Sequence, residues 1–260
     1  ALRSRGKKGG GVLGAIPLLG SLGIAIGYAV IVGWVVRYCW GAVSGSLFAV
    51  GSEEYFGQIT GPFGSLLWHG VVVLVTVLVL ARGVLQGIEK VNRIIMPAFF
   101  VLFLVVAVYV GFLPGAAEGY RYLLIPQWEK LLDPMTWVMA MGQAFFSLSI
   151  TGSGMIIYGS YLSKKEDIPR AAMQTALLDT CAALLAGFAI LPAVFAFGMD
   201  PASGPPLIFI TLPKVFAQMP GGRFIAVLFF LSVIFAGITS LINMFEVCAE
   251  AVTTHLKLPR

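Results

Sequence analysis

Residues 143–161 read QAFFSLSITGSGMIIYGSY, and the fold turns on how this stretch is understood. It lies inside residues 134–163, none of which is charged. A helix crosses the hydrocarbon of a bilayer with about 20 apolar residues, so the charge-free run is long enough to span. Its middle is nonetheless polar. Ser147, Ser149, Thr151, Gly152, Ser153 and Gly154 fall close together. Gly loosens a helix, and small hydroxyl side chains compete for backbone hydrogen bonds. In hydrocarbon such a backbone survives only where protein or a polar cavity satisfies it. The stretch predicts a membrane helix broken near mid-depth, with freed N–H and C=O groups facing a site. Broken helices of this kind hold substrate and coupling ions in secondary transporters. A small-residue packing face of the GxxxG kind is the other reading of the local pattern.

The rest of the composition favours a membrane. Of 260 residues 58% are hydrophobic and 11% charged, against about 25% charged in soluble domains. Mean hydropathy is +0.93. The net charge of +5 is then a topology signal and not a nucleic-acid footprint. Cys39, Cys181 and Cys248 lie far apart, with neither metal-ligand spacing nor a disulfide framework. His69 and His255 are the only histidines, which argues against His-based metal or triad chemistry. The start, ALRSRGKKGGG, is basic and Gly-rich, shows no secretory signal and reads as an internal loop.

Six apolar spans are expected, at about 14–43, 64–82, 92–113, 134–161, 168–198 and 223–254, forming one transmembrane domain over 1–260. The intervening 52–62 reads as a loop. Residues 83–91 read as a short charged linker, and Pro97 falls in the first turns of the third span. Residues 114–133 are polar and aromatic, which suits the headgroup level. The Pro- and Gly-rich 199–222 is hydrophobic for a loop and is expected to fold back onto the protein. With six spans the loops alternate sides. Arg37, Arg121, Lys130, Lys214 and Arg223 fall on one side, and the other twelve of the 17 Lys and Arg on the opposite one. The positive-inside rule then places both chain ends in the cytoplasm and 199–222 outside.

Polar groups within the spans are the candidate functional residues. Asp179 lies nine residues past Arg170, about 13 Å deep at 1.5 Å per residue. Intramembrane acids mark ion or proton paths by default, the alternative being a neutral hydrogen bonder between helices. AGITS at 236–240 places Thr239 and Ser240 mid-helix, where hydroxyls and carbonyls can cage a hard cation. Such hydroxyls also back-bond within helices routinely. Glu246 and Glu250, four apart, either line a vestibule or are solvated. Tyr28 sits mid-span beside small residues, and its hydroxyl needs a partner.

Together these residues carry a resemblance. The central stretch resembles the sixth transmembrane helix of the neurotransmitter:sodium symporter family. FFLSVIFAGITSLINMFEV (229–247) resembles its eighth helix. RGVLQGIEKVNRIIMP (82–97) resembles the fourth-to-fifth connection, and FITLPKVFAQMPGG (209–222) the end of the fourth extracellular loop. The match runs in order over about 20–260. It implies an all-α integral membrane protein, a partial LeuT-type inverted-repeat helical bundle. The six transmembrane helices then correspond to the third through eighth of the family, whose other helices lie outside this chain.

The resemblance also implies roles. Phe146 is an aromatic lid over the substrate, and Ser147 a hydroxyl ligand of the first sodium that also borders the substrate. Ser149, Ile150, Thr151 and Gly152 are the unwound segment contacting the substrate. Tyr28 bonds the substrate carboxylate. Ala236 (carbonyl), Thr239 and Ser240 bind the second sodium, with Ser240 also beside the substrate. Met244 lines the side-chain pocket, and Tyr161 joins Phe146 as a gate. Asp179 stands where many members have Asn as a first-sodium ligand. Ala183, one turn on, stands where some members have an acid and chloride-dependent ones a Ser. Gly152 replaces a frequent bulky residue, implying a roomier pocket. The implied function is sodium-coupled amino-acid symport in the plasma (inner) membrane, using Na+ at two sites and no organic cofactor. Its partners are the amino acid, sodium, the lipid bilayer and the remaining helices of the same protein, with no nucleic acid. An ion channel predicts repeated pore motifs or charged rings. An enzyme predicts a nucleophile–base set or metal cluster. Neither pattern is present in the sequence. A non-transporting structural or regulatory membrane fragment is the alternative that stays open.

Overall fold

The computed structural model describes residues 10–81, 85–150, 155, 159, 162, 165–202 and 204–256, with backbone alone at 10–15, 85–92, 94, 95 and 254–256. Regular structure among the described residues is helical throughout. The elements are α1 (Gly10–Ser44), α2 (Ser46–Val50), α3 (Ser52–Thr60), α4 (Leu66–Ala81), α5 (Leu85–Gly111), α6 (Ala116–Leu124), a 3-10 turn (Trp128–Leu132) and α7 (Pro134–Ser147). Then follow α8 (Ile168–Ala196), a π-helical turn (Leu207–Thr211), α9 (Leu212–Gln218) and α10 (Gly222–Leu256).

Among the described residues, three helices are long and apolar enough to cross a membrane alone: Ile16–Ser44, Ile168–Ala196 and Gly222–Thr253. Met96–Gly111 passes together with Ala116–Leu132, at a bend of 117°. Leu66–Ala81 is a shorter apolar helix. Boundaries differ from the sequence reading where helix and membrane end at different places. Residues 85–91, expected in a linker, form the first turns of α5, so Pro97 lies inside that helix and not at its start. Glu, Lys and Gln are good helix formers, and a hydropathy profile registers where the membrane ends, not where the helix does. The expected loop 52–62 holds α3, whose first turn carries Glu53 and Glu54, as the positive end of a helix dipole favours. The expected loop 199–222 holds the π turn and α9.

Helix α1 is the mast of the bundle. It packs along α10 on one side and α4 on another. Small residues set these contacts. A Cβ at Gly33 would stand 2.9 Å from the backbone N of His69 on α4, and one at Gly237 of α10 would stand 2.7 Å from Cγ2 of Val32. Small residues let membrane helices approach this closely. Helix α5 packs on α8 and α10, and α6 lies across α8.

The ends of α1, α5 and α8 and the start of α10 meet at one end of the bundle, here called the capped end. Arg223 closes α1: its Nε donates to the carbonyl of Ala42 (2.9 Å), and Nη2 donates to that of Val43. A basic group on the last carbonyls satisfies acceptors that no further turn can reach. Arg37 donates to Gly64 O (2.8 Å) and stands 5.2 Å from the ring centre of Tyr55. Below them lies an aromatic core. Phe209, from the π turn, meets Trp34 (5.6 Å), Tyr38 (5.0 Å) and Phe56 (6.0 Å), and Tyr38 meets Phe230 (5.4 Å). The widened π turn delivers Phe209 into this core, where it is 2% exposed.

Helix α9 is tied down twice. Tyr109 Oη donates to Gln218 O (2.8 Å), and Lys214 Nζ pairs with Glu53 Oε1 at 2.6 Å. The Lys214 hydrogen bond holds the Glu53 carboxyl below its ordinary value, with the lysine's charge adding to the effect. A depressed acid contributes stability above its unfolded pKa and loses it as pH falls through the lowered folded value. Acidification well below pH 4.5, the ordinary value, is therefore expected to loosen α9 from α3. Glu53→Gln should remove that step. Hydrogen exchange of 212–218 in the intact protein checks it: protection that is pH-independent in the wild type would contradict the latch.

Candidate functional site

Helix α7 starts on a built cap. Asp133 Oδ1 accepts from Met135 N at 2.9 Å, and Pro134 occupies the first turn. Its 14 residues give a length of about 21 Å, short of the roughly 30 Å of hydrocarbon. The helix ends at Ser147 with a Schellman closure. Ile150 N donates to Phe145 O (2.9 Å), and Ser149 N donates to Phe146 O (3.0 Å). Ser149 takes the left-handed position, φ 56°, which Gly usually occupies. A non-Gly residue there is uncommon, and such strain collects at functional positions. The backbone thus leaves the helix at 148–150, at the front of the expected break. Thr151, Gly152 and Tyr161 lie outside the described residues.

Asp179 is reached from the other side. Helix α8 opens on Asp167, whose Oδ1 accepts from Arg170 N (3.2 Å), and Asp179 lies three turns along. Its Oδ2 accepts a hydrogen bond from Ser147 Oγ at 2.8 Å. Ser147 closes the last turn of α7, so the negative end of that helix's dipole and the Asp179 carboxyl group point at one spot. A hydroxyl oxygen, a carboxylate oxygen and helix-end carbonyls form a hard-oxygen set, suited to a small cation and unsuited to an anion. Phe146 is 50% exposed and Ile150 52% exposed beside it.

A second oxygen group lies on α10. Thr239 Oγ1 donates to Ala236 O (2.8 Å), and Ser240 Oγ donates to the same carbonyl (3.2 Å). Three oxygens therefore converge on one turn of a membrane helix. Near the close α1–α10 crossing at Gly237, Tyr28 and Ile238 both pack against a small buried cluster of Ala29, Val32, Val72 and Leu241. Met244 is half-buried one turn further along. The structure thus joins Ser147 to Asp179 by a hydrogen bond, and sets Tyr28 against the same apolar cluster as Ile238 and Leu241. Among the described residues no hydrogen bond joins the two groups. Glu246, left open by the sequence, is 7% exposed, while Glu250 is exposed. Trp34 Nε1 and Tyr38 Oη are buried in the aromatic core without a hydrogen-bond partner among the described residues, which nothing in the sequence announces.

Comparison with known proteins bears on the fold and the family. The crystal structure of MhsT in complex with L-phenylalanine superposes with a TM-score of 0.89 at 36% identity, over 95% of this chain and 57% of that one. An uncharacterised sodium-dependent transporter of Bacillus subtilis (strain 168), YhdH, is 41% identical over 86% of this chain and 51% of its own length. An uncharacterised sodium-dependent transporter of Haemophilus influenzae is 34% identical over 96% of this chain and 56% of its own length. The chain spans about half the length of these relatives. The all-helical bundle is thus a LeuT-type fold, in part. Residues 54–259 match the Sodium:neurotransmitter symporter family, and the chain belongs to that family, one of sodium-dependent membrane transporters and not of enzymes.

Proposed function

We propose that the intact protein couples sodium entry to the uptake of an amino acid. The observation that carries this reading is the Ser147–Asp179 hydrogen bond at the broken end of α7. It supplies charged and neutral oxygens within a membrane span, where a desolvated cation needs them. In this reading Ser147 and Asp179 hold one sodium. The Ala236 carbonyl and the Thr239 and Ser240 hydroxyls hold a second, once the hydroxyl hydrogens turn away from Ala236 O.

Tyr28 donates its hydroxyl hydrogen to the substrate carboxylate. The segment from Ser149 to Gly152 faces the substrate backbone, and Met244 borders its side chain. Phe146 and Tyr161 close over and under it. The protein lies in the plasma (inner) membrane with 199–222 outside and both ends of this chain in the cytoplasm. Support for an amino acid comes from the solved relative, which holds L-phenylalanine. By the resemblance, Gly152 stands where a bulky residue is frequent, which would leave room for so large a side chain.

The test is equilibrium binding of labelled L-phenylalanine to the purified full-length protein, in sodium and in potassium. Binding that requires sodium is expected. Equal binding in both salts, or none in either by phenylalanine and a panel of other amino acids, would overturn the proposal.

A further inference from the structure

Helix α6 has a membrane-facing side that its place in the bundle defines. It opens the segment Ala116–Leu132, which meets α5 at a bend of 117°, within about 30° of perpendicular to that span. Its inner face is spent on α8. Ala116 and Gly119 are buried, and a Cβ at Gly119 would stand 2.6 Å from Pro192 N. The height of this contact can be read along α8. That helix has 29 residues, about 43 Å, against a hydrocarbon layer of about 30 Å. Shared between both ends, the excess is about 6 Å at each. Pro192 lies four residues, about 6 Å, from the capped end of α8, which puts α6 at the hydrocarbon boundary.

The roll of α6 follows from which part of α8 each side chain meets. Tyr122 meets Phe195, nearest the capped end, at 5.4 Å. Tyr120 meets Phe188, two turns deeper, at 6.2 Å, and Leu123 lies 3.5 Å from where a Gly187 Cβ would be. Tyr122 therefore marks the side of α6 toward water and Tyr120 the side toward the membrane interior. At 100° per residue Glu118 shares the side of Tyr122, while Ala117 and Leu124 share that of Tyr120. Arg121 lies between. Leu124 is 59% exposed on the deep side, and Glu118 is exposed on the water side.

We infer that α6 is an in-plane membrane anchor whose partner is the phospholipid leaflet at the capped end. Leu124 and Ala117 dip into the acyl chains. Arg121 reaches the lipid phosphates, as long basic side chains do at interfaces. Glu118 stays in water, and Tyr120 and Tyr122 bracket the boundary, where aromatic rings with a polar tip concentrate. An apolar side chain left bare on the deep face, an acid on the opposite face and a base between them match the layers of a bilayer edge in order. This placement fixes the joint between α5 and α7 to the membrane surface.

The experiment uses the full-length transporter in phosphatidylglycerol–phosphatidylethanolamine liposomes, with its other cysteines replaced. A nitroxide is placed at Leu124→Cys, Arg121→Cys or Glu118→Cys. Its relaxation is read with oxygen, which partitions into lipid, and with a water-soluble nickel chelate. The ratio of oxygen to nickel accessibility is expected to be severalfold higher at 124 than at 118, with 121 between them. Should the label at 124 prevent folding, Ala117→Cys on the same face reports instead. Equal ratios at 124 and 118 would show a solvated loop. Shielding of 124 from both reagents would show that protein covers this face. Either result overturns the proposal.

Discussion

Asp179→Asn is expected to weaken sodium activation of transport by about tenfold while leaving the protein folded. The carboxylate accepts from Ser147 Oγ at 2.8 Å, and an amide oxygen can accept the same bond, so the α7–α8 contact survives. What is lost is charge. A unit charge about 4 Å from a cation contributes about 4 kcal/mol at an effective dielectric of 20. Desolvation of both groups consumes much of that. A remainder of about 1.4 kcal/mol corresponds to tenfold in affinity. If Asp179 holds the sodium as proposed, its fixed carboxylate would do the balancing that an anion does elsewhere, so wild-type transport is expected to be equal in chloride and in gluconate. Sodium titrations of uptake by both proteins in both anions check this. Superimposable sodium curves would leave Asp179 a hydrogen bonder between helices and remove it from the site.

Gly119→Ala is expected to destabilise the intact protein by about 2 kcal/mol, within the range for overpacked cores. The added methyl would overlap Pro192 Cα and stand 2.6 Å from its N and 2.7 Å from Leu191 O. These are backbone atoms of a membrane helix and cannot rotate aside, so α6 must lift from α8. Ala117→Leu, at an exposed position two residues earlier, serves as the control and should cost little. Thermal unfolding of the two purified variants separates them. A Gly119→Ala protein as stable as Ala117→Leu would mean that α6 does not press on α8 in solution.

The break in α7 was legible because clustered hydroxyl and Gly residues weaken a helix, and here they interrupt a charge-free span. Its atomic form was not. Among the described residues of the break, the left-handed position falls on Ser149, a residue type that seldom takes it. Asp179 stood out as an isolated acid, but its partner Ser147 lies 32 residues away on another helix. Only the family resemblance pairs the two. Short amphipathic helices escaped for a different reason. SEEYFGQIT and AAEGYRYLL carry too little apolar length to register as spans, and their helicity comes from packing on neighbours rather than from propensity. Contacts such as Lys214 with Glu53, 161 residues apart, exist only once the bundle has assembled.

Whether sodium drives an amino acid through this protein is measured most directly by uptake of labelled L-phenylalanine into liposomes. These hold the full-length protein, with an inward sodium gradient or an equal potassium gradient. Accumulation above the outside concentration under the sodium gradient, collapsing when a sodium ionophore is added, is the predicted result. Equilibration without accumulation, or the same uptake in potassium, would contradict it.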